Sequence, residues 1–195
     1  MNKIVLLVTG TPCVGKTTVA QHLAKRLNAF YINLTEFAKT HNLSLREDKE
    51  RKTTIVDEQM MLIEIQKTID ATDERTIVVD GHYAAAVVPK NLVTRVFVMR
   101  RDPVELRSLM EACGYTGSKL WENLASEILD VCLVEALQEQ DNEKVCELDV
   151  TGKTVEAVVD LICLILDENL KCYFGCVDWL GMLERKGLTD EYLRI

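Results

Sequence analysis

Short apolar runs alternate along the chain with segments whose apolar residues recur at helical spacing. Lys3–Thr9 carries an unbroken apolar run that stops at glycine, which predicts a buried strand. From Gly15 the period changes: Val19, Leu23 and Leu27 follow at i, i+4 and i+8 with Ala20 and Ala24 beside them, a helix. Ala29–Asn33 is a second, short strand and Thr35–Thr40 a short helix, while Leu45–Thr54 is mostly charged and polar and reads as a mobile segment. Asp57–Ile69 returns to helical spacing through Met61, Ile65 and Ile69, with Asp57 as its N-cap. Thr76–Asp80 and Arg95–Met99 are further strands, separated by a loop containing Pro89. Pro103 opens a helix to about Ala112, as proline suits a first helical turn. One long helix is predicted from Ser118 to about Gln140 on a stripe of Leu120, Leu124, Ile128, Cys132 and Leu137. Lys144–Asp149 is a fifth strand and Thr154–Leu166 a helix; the tail from Lys171 mixes aromatics and charges without period. This alternation predicts an α/β, three-layer fold with a central five-stranded parallel sheet, helices on both faces, and ligands at the carboxyl ends of the strands.

Composition narrows the class. With 31 Asp+Glu against 23 Lys+Arg the net charge is −8, which disfavours direct nucleic-acid binding over the whole surface. The longest uncharged apolar runs, Ile4–Val8, Ala84–Val88 and Leu161–Leu166, fall far short of the roughly 20 residues of a spanning helix, and the opening run is too short for a signal peptide. The expectation is a cytoplasmic protein without membrane contact. Seven cysteines, an odd count set mostly in apolar patterns, read as thiols. Cys172 and Cys176 have no second pair and no nearby histidine, so they too read as ordinary thiols rather than metal ligands.

Gly10-Thr11-Pro12-Cys13-Val14-Gly15-Lys16-Thr17 fits G-x-x-x-x-G-K-[ST]. The bare pattern arises by accident in roughly one in a hundred chains of this length, but here it joins a predicted buried strand to a predicted helix, the context in which backbone N–H groups and a helix N-terminus converge on phosphate oxygens. Gly10, Cys13, Gly15, Lys16, Thr17 and Thr18 are therefore the candidate ATP-binding residues, with Lys16 on the β- and γ-phosphates and the Thr17 hydroxyl on Mg2+. Asp80 ends an apolar strand and is the candidate second Mg2+ residue, acting through water. His82 follows two residues later. No Asn-Lys-x-Asp guanine-reading segment is present. A small phosphoryl-transfer enzyme needs an acceptor-binding segment and a lid that excludes water; Asn33–Thr54 and Cys113–Lys119 are the candidates.

At 10–18, Tyr31-Ile32-Asn33, Ile55-Val56-Asp57-Glu58, Val78-Val79-Asp80-x-His82, Gly114-Tyr115 with Lys119-Leu120, and Val177-Asp178-Trp179-Leu180, the chain resembles the adenylate kinase isoenzyme 6 (CINAP) family, and is most similar to its archaeal members. The resemblance covers nearly the whole chain. It implies one phosphate-loop kinase domain over residues 1–195, with a monophosphate-binding segment at about 33–56, a lid at about 108–118 and a C-terminal tail at about 171–195. It implies reversible transfer of the terminal phosphoryl group of ATP to AMP or another nucleoside monophosphate with Mg2+, ATPase activity alongside, and a role in small-ribosomal-subunit maturation through a basic ribosomal protein. Lys16, Asp80 and His82 take the catalytic positions and Asn33 and Lys39 the monophosphate segment, while Arg100, Arg101, Arg107 or Lys119 are the cations that would clamp the phosphates.

Two departures stand out. The family has glycine where this chain has Cys13, and its Arg-Leu-x-x-Arg-Gly-Tyr reads here Leu109-Met110-Glu111-Ala112-Cys113-Gly114-Tyr115, without either arginine. Arginine at such places neutralises charge on the transferring group, so a second reading stays open: an ATP-hydrolysing assembly factor with little monophosphate kinase activity. A kinase for another small alcohol or acid is a third.

Overall fold

The computed structural model describes residues 3–48 and 53–193. Five strands, β1 (Ile4–Gly10), β2 (Phe30–Asn33), β5 (Thr76–Asp80), β6 (Val93–Arg100) and β7 (Val145–Asp149), form one parallel sheet in the order β2-β5-β1-β6-β7. Val5–Val8 and Ile77–Val79 are buried, as parallel strands covered on both faces must be. The register sets the functional edge: Val8 and Asn33 lie opposite Asp80, Gly10 opposite Met99, and Arg100 opposite Asp149.

Alternate strand residues feed two cores. Leu6, Val8, Phe97 and Met99 pack against α1 (Lys16–Leu27), α5 (Pro103–Ala112), α6 (Gly117–Ile128) and α8 (Val155–Asp167). Val5, Leu7, Val79 and Val98 pack against α2 (Leu34–Thr40), α3 (Glu58–Ala71), α4 (Ala84–Val87) and α7 (Val131–Glu139). The caps follow the expected chemistry, with the Asp57 carboxylate accepting from Met60 N at 3.0 Å and Thr154 Oγ1 from Ala157 N at 3.2 Å.

Four expectations are revised. The long helix predicted to run from Ser118 to Gln140 is two helices, because Leu120, Leu124 and Ile128 belong to one core and Leu133 and Ala136 to the other. The chain changes face at Asp130, which sits in the left-handed region at φ 58, a conformation that Asp tolerates better than most residues. The polar segment at 45–54 contains antiparallel strands, β3 (Ser44–Asp48) and β4 (Thr53–Val56), and its residues 49–52 lie outside the described residues. The tail folds as α9 (Trp179–Lys186) and α10 (Thr189–Tyr192), capped by Asp178, with Leu183 and Tyr192 joining the first core. Trp179, Leu180, Met182 and Leu183 do fall at helical spacing, but over a helix of 8 residues they are too short a stretch to register as a period. Finally, Cys146 on β7 and Cys172 are joined as a disulfide, with Cα atoms 4.5 Å apart, rather than remaining thiols. Among the described residues no helix is long and apolar enough to cross a membrane.

Candidate nucleotide site

The loop between β1 and α1 sits at the carboxyl edge of the sheet, where β1 lies between β5 and β6. Gly10 adopts φ +136, and a Cβ there would lie 2.4 Å from the Met99 carbonyl oxygen, so the turn admits only glycine. Gly15 follows at φ +103 just before α1. Between them Cys13 takes φ 67, a left-handed conformation in a residue that has a Cβ. Burial pushes its thiol up to about 12, reinforced by a side-chain hydrogen bond with Cys113 from the α5–α6 connection. Cys13 therefore meets Cys113, one of the two positions at which the chain lacks an arginine of the resembled family.

Lys16, at the start of α1, donates from Nζ to the Thr11 carbonyl at 2.8 Å. Desolvation lowers its pKa, opposed by the nearby Cys132, Asp80 and Glu127 side chains. Its neighbour Thr17 donates from Oγ1 to Asp80 Oδ2 at 2.7 Å. Asp80 is 1% exposed, and the same Oδ2 also accepts from Tyr31 Oη at 2.9 Å and Asn33 Nδ2 at 2.8 Å. Its other oxygen, Oδ1, is buried with no protein partner. A buried, unpaired carboxylate oxygen is costly, and this one lies beside a threonine hydroxyl and the phosphate loop. Hard oxygen donors with an open lone pair are what Mg2+ takes, so Thr17 and Asp80 fit that ion.

His82 lies just beyond β5, its loop held by the Thr9 hydroxyl, which donates to the His82 carbonyl at 3.0 Å. The residue is exposed at its outer edge, yet partial burial of the imidazole, with the Lys16 and Lys119 charges, pushes its pKa down to about 4. Lys119, in the first turn of α6, is thus brought to the same side of the molecule as Lys16 and His82. Thr18 is exposed on α1.

Several expected site residues are otherwise engaged. Arg100 is 2% exposed, and its guanidinium is held by Glu127, Glu147 and Asp130 at 2.9, 2.6 and 2.5 Å; it is an internal cation, not a phosphate clamp. Arg107 faces the tail instead, paired with Glu111 at 3.1 Å and Glu191 at 2.6 Å and stacked on Trp121 and Tyr192. Asn33 caps α2, accepting from Glu36 N at 3.1 Å, while its amide nitrogen holds Asp80, so both ends of the side chain serve the scaffold. Lys39 stands exposed on α2, paired with Glu36 at 3.0 Å.

Three further residues border the site. Arg101, next to the buried arginine, donates from Nε and Nη2 to the Val14 carbonyl at 3.3 and 3.2 Å, lies against Gly15 and pairs with Glu105. Tyr31 was legible as a face partner of Asn33, two residues apart on one strand. Burial, with the Asp80 charge, pushes its phenol up to about 12, so it stays a proton donor to the carboxylate. Glu127, which accepts from Thr11 Oγ1 at 2.5 Å, had no sequence signal, since a lone glutamate on an amphipathic helix reads as solvent-facing.

Comparison with known proteins agrees with this geometry. Residues 6–130 match the family described as AAA domain. A protein of Pyrococcus furiosus named "Putative adenylate kinase" is 36% identical over 192 residues, covering 98% of each chain. A Methanocaldococcus jannaschii protein of the same name is 35% identical over 176 residues, 89% of this chain and 92% of its own. Among solved structures, shikimate kinase from Acinetobacter baumannii in complex with shikimate aligns with a TM-score of 0.62 at 14% identity, covering 88% of this chain and 97% of that one, a likeness of fold. With its phosphate loop between β1 and α1 and this span of sequence identity, the chain belongs to the AAA-domain family and, within it, to the group of archaeal-type proteins that carry the name putative adenylate kinase.

Proposed function

We propose that the protein is a nucleoside monophosphate kinase of the adenylate kinase isoenzyme 6 type, transferring the terminal phosphoryl group of ATP to AMP or a similar acceptor. The observation that carries this reading is the Asp80 carboxylate, locked on one oxygen by Thr17, Tyr31 and Asn33 and left open on the other beside the phosphate loop. Thr17 and Asp80 would hold Mg2+, which when bound neutralises charge on the β- and γ-phosphates. The loop's backbone N–H groups bind the phosphates, and Lys16 exchanges its Thr11 carbonyl for phosphate oxygens. Lys119 and Arg101 add positive charge on either side, so positioning and electrostatics carry the transfer. Neutral His82 accepts a hydrogen bond from a water and orients it, which would account for ATP hydrolysis alongside transfer. In this reading α2 with the β3–β4 hairpin is the acceptor segment, Lys39 its candidate cation, and the α5–α6 connection the lid.

A second reading, an ATPase that acts on ribosome assembly by gripping a basic small-subunit protein, is favoured by one observation: the connection presents Cys113, not a cation, to the phosphate loop. One experiment separates the two. Purified protein is incubated with ATP and Mg2+, with and without a panel of monophosphates, and the nucleotides are resolved. Monophosphate-dependent diphosphate formation is expected; ADP and inorganic phosphate at the same rate with any acceptor or none overturns the kinase reading.

A further inference from the structure

Glu127 sits near the end of α6, 1% exposed, with both carboxylate oxygens occupied. Oε2 accepts from the Thr11 hydroxyl of the phosphate loop at 2.5 Å. Oε1 accepts from Arg100 Nε at 2.9 Å, from the Arg101 backbone N–H at 3.0 Å and from the Trp179 indole N–H at 3.0 Å. Trp179 is the first residue of α9, so one of the four donors comes from the tail, 52 residues along the chain. The tail is pinned at a second point, where Glu147 Oε2 accepts from Cys176 N at 2.8 Å and the opposite oxygen of Glu147 holds Arg100. A buried carboxylate this close to an anion-binding loop opposes phosphate binding unless its charge is engaged and aimed away. Here each donor to Oε1 draws the carboxylate off the loop and leaves Oε2 to fix Thr11. The same helix carries Lys119 eight residues earlier, about 12 Å along the axis, so anchoring Glu127 also sets where Lys119 stands.

We infer that Trp179 and Glu127 are positioning residues for nucleotide binding: the tail, through the indole N–H, holds the Glu127 carboxylate in the orientation that keeps Thr11, and with it the phosphate loop, ready for ATP. The inference rests on the phosphate-loop reading of the site but not on the identity of the acceptor.

The test is equilibrium binding of ATP with Mg2+, measured by calorimetry on the full chain. Trp179→Phe keeps the ring in the core and removes only the N–H; it is expected to weaken ATP binding about tenfold, the worth of one hydrogen bond to a charged group. Thr11→Val is expected to do the same, and the double variant to lose no more than the larger single loss, because both act through one carboxylate. Ile69→Ala, buried in the other core on the opposite face of the sheet, is the control: its Tm falls while its ATP affinity holds. Native affinity in Trp179→Phe, multiplicative losses in the double variant, or an equal loss of affinity in Ile69→Ala each overturns the inference. A native chain that binds ATP but makes no diphosphates removes the kinase reading and leaves this one standing; a native chain that binds no ATP removes both.

Discussion

Tyr31 and Thr17 reach the same oxygen of Asp80 from opposite sides, the phenol at 2.9 Å from β2 and the threonine hydroxyl at 2.7 Å from α1. With Asn33 as third donor, the carboxylate is fixed in one rotation, and its other oxygen is left without a protein partner, the place proposed for a metal ion or its water. Replacing Asp80 by Asn keeps the shape and removes the charge. Turnover with Mg2+ is expected to fall on the order of a hundredfold, the cost of losing one preorganised electrostatic contact. ATP binding measured with EDTA in place of Mg2+ is expected to hold, and an equal loss in both conditions would mean that Asp80 does not serve the metal.

Lys16→Ala removes the cation proposed to meet the β- and γ-phosphates. The Lys16 side chain donates to the Thr11 carbonyl of the loop, so the fold is expected to survive the change while turnover drops by at least about 10³-fold. Circular dichroism and steady-state rates on the same preparation check this; full activity in a folded variant excludes the phosphate-loop mechanism.

His82 provides a pH signature. Its pKa is pushed down to about 4 in the folded chain from an ordinary 6.5, so the unfolded chain binds the extra proton first. The contribution of neutral His82 to stability is whole above about pH 6.5 and is lost as pH falls from there toward 4. Urea midpoints of the native chain are expected to decline over that window more steeply than those of His82→Gln, with the two curves parallel above pH 7. Since His82 is already neutral, turnover between pH 6.5 and 8 is expected to show no histidine inflection.

Arg100 shows where reading from sequence reaches its limit. The five strands, the phosphate loop and Asp80 were legible because each rests on a local signal: an apolar run, a glycine pattern, an acid at a strand end. The division of roles between Arg100, the last residue of β6, and Arg101 just beyond it was not, because only the packed α6 decides which of the two guanidinium groups Glu127 encloses. The long helix failed for a related reason, since a stripe of apolar residues does not say which of two cores it serves. Glu127 and Trp179 lie 52 residues apart and meet only through the fold.

A stability measurement tests the internal role of Arg100. As the partner of buried Glu127 and Glu147, its loss leaves two carboxylates uncompensated, and Arg100→Ala is expected to destabilise the chain by about 3–5 kcal/mol in denaturant unfolding. A phosphate clamp would instead lose rate at unchanged stability. Arg101→Ala, which touches the loop through the Val14 carbonyl, is expected to behave in that second way.

The contact between Cys13 and Cys113 is the sharpest test of the lid proposed for the α5–α6 connection. Cys13 holds φ 67, which costs a residue with a Cβ about 1–2 kcal/mol; glycine avoids this but gives back about 0.5–1 kcal/mol through the entropy of its unfolded chain. Cys13→Gly is therefore expected to be neutral to slightly stabilising, and it clears space over the loop. Placing arginine at 113 in that background sets a guanidinium where Cys113 now meets the phosphate loop. If the connection closes over ATP, the Cys13→Gly/Cys113→Arg variant is expected to transfer phosphate to AMP at least tenfold faster than Cys13→Gly alone, a modest fraction of what an arginine on a transferring phosphoryl group can contribute. A rise in ATP affinity without any rise in kcat would place the new charge on bound phosphates outside the transition state, and an unchanged kcat and KM would mean that the connection does not act as a lid.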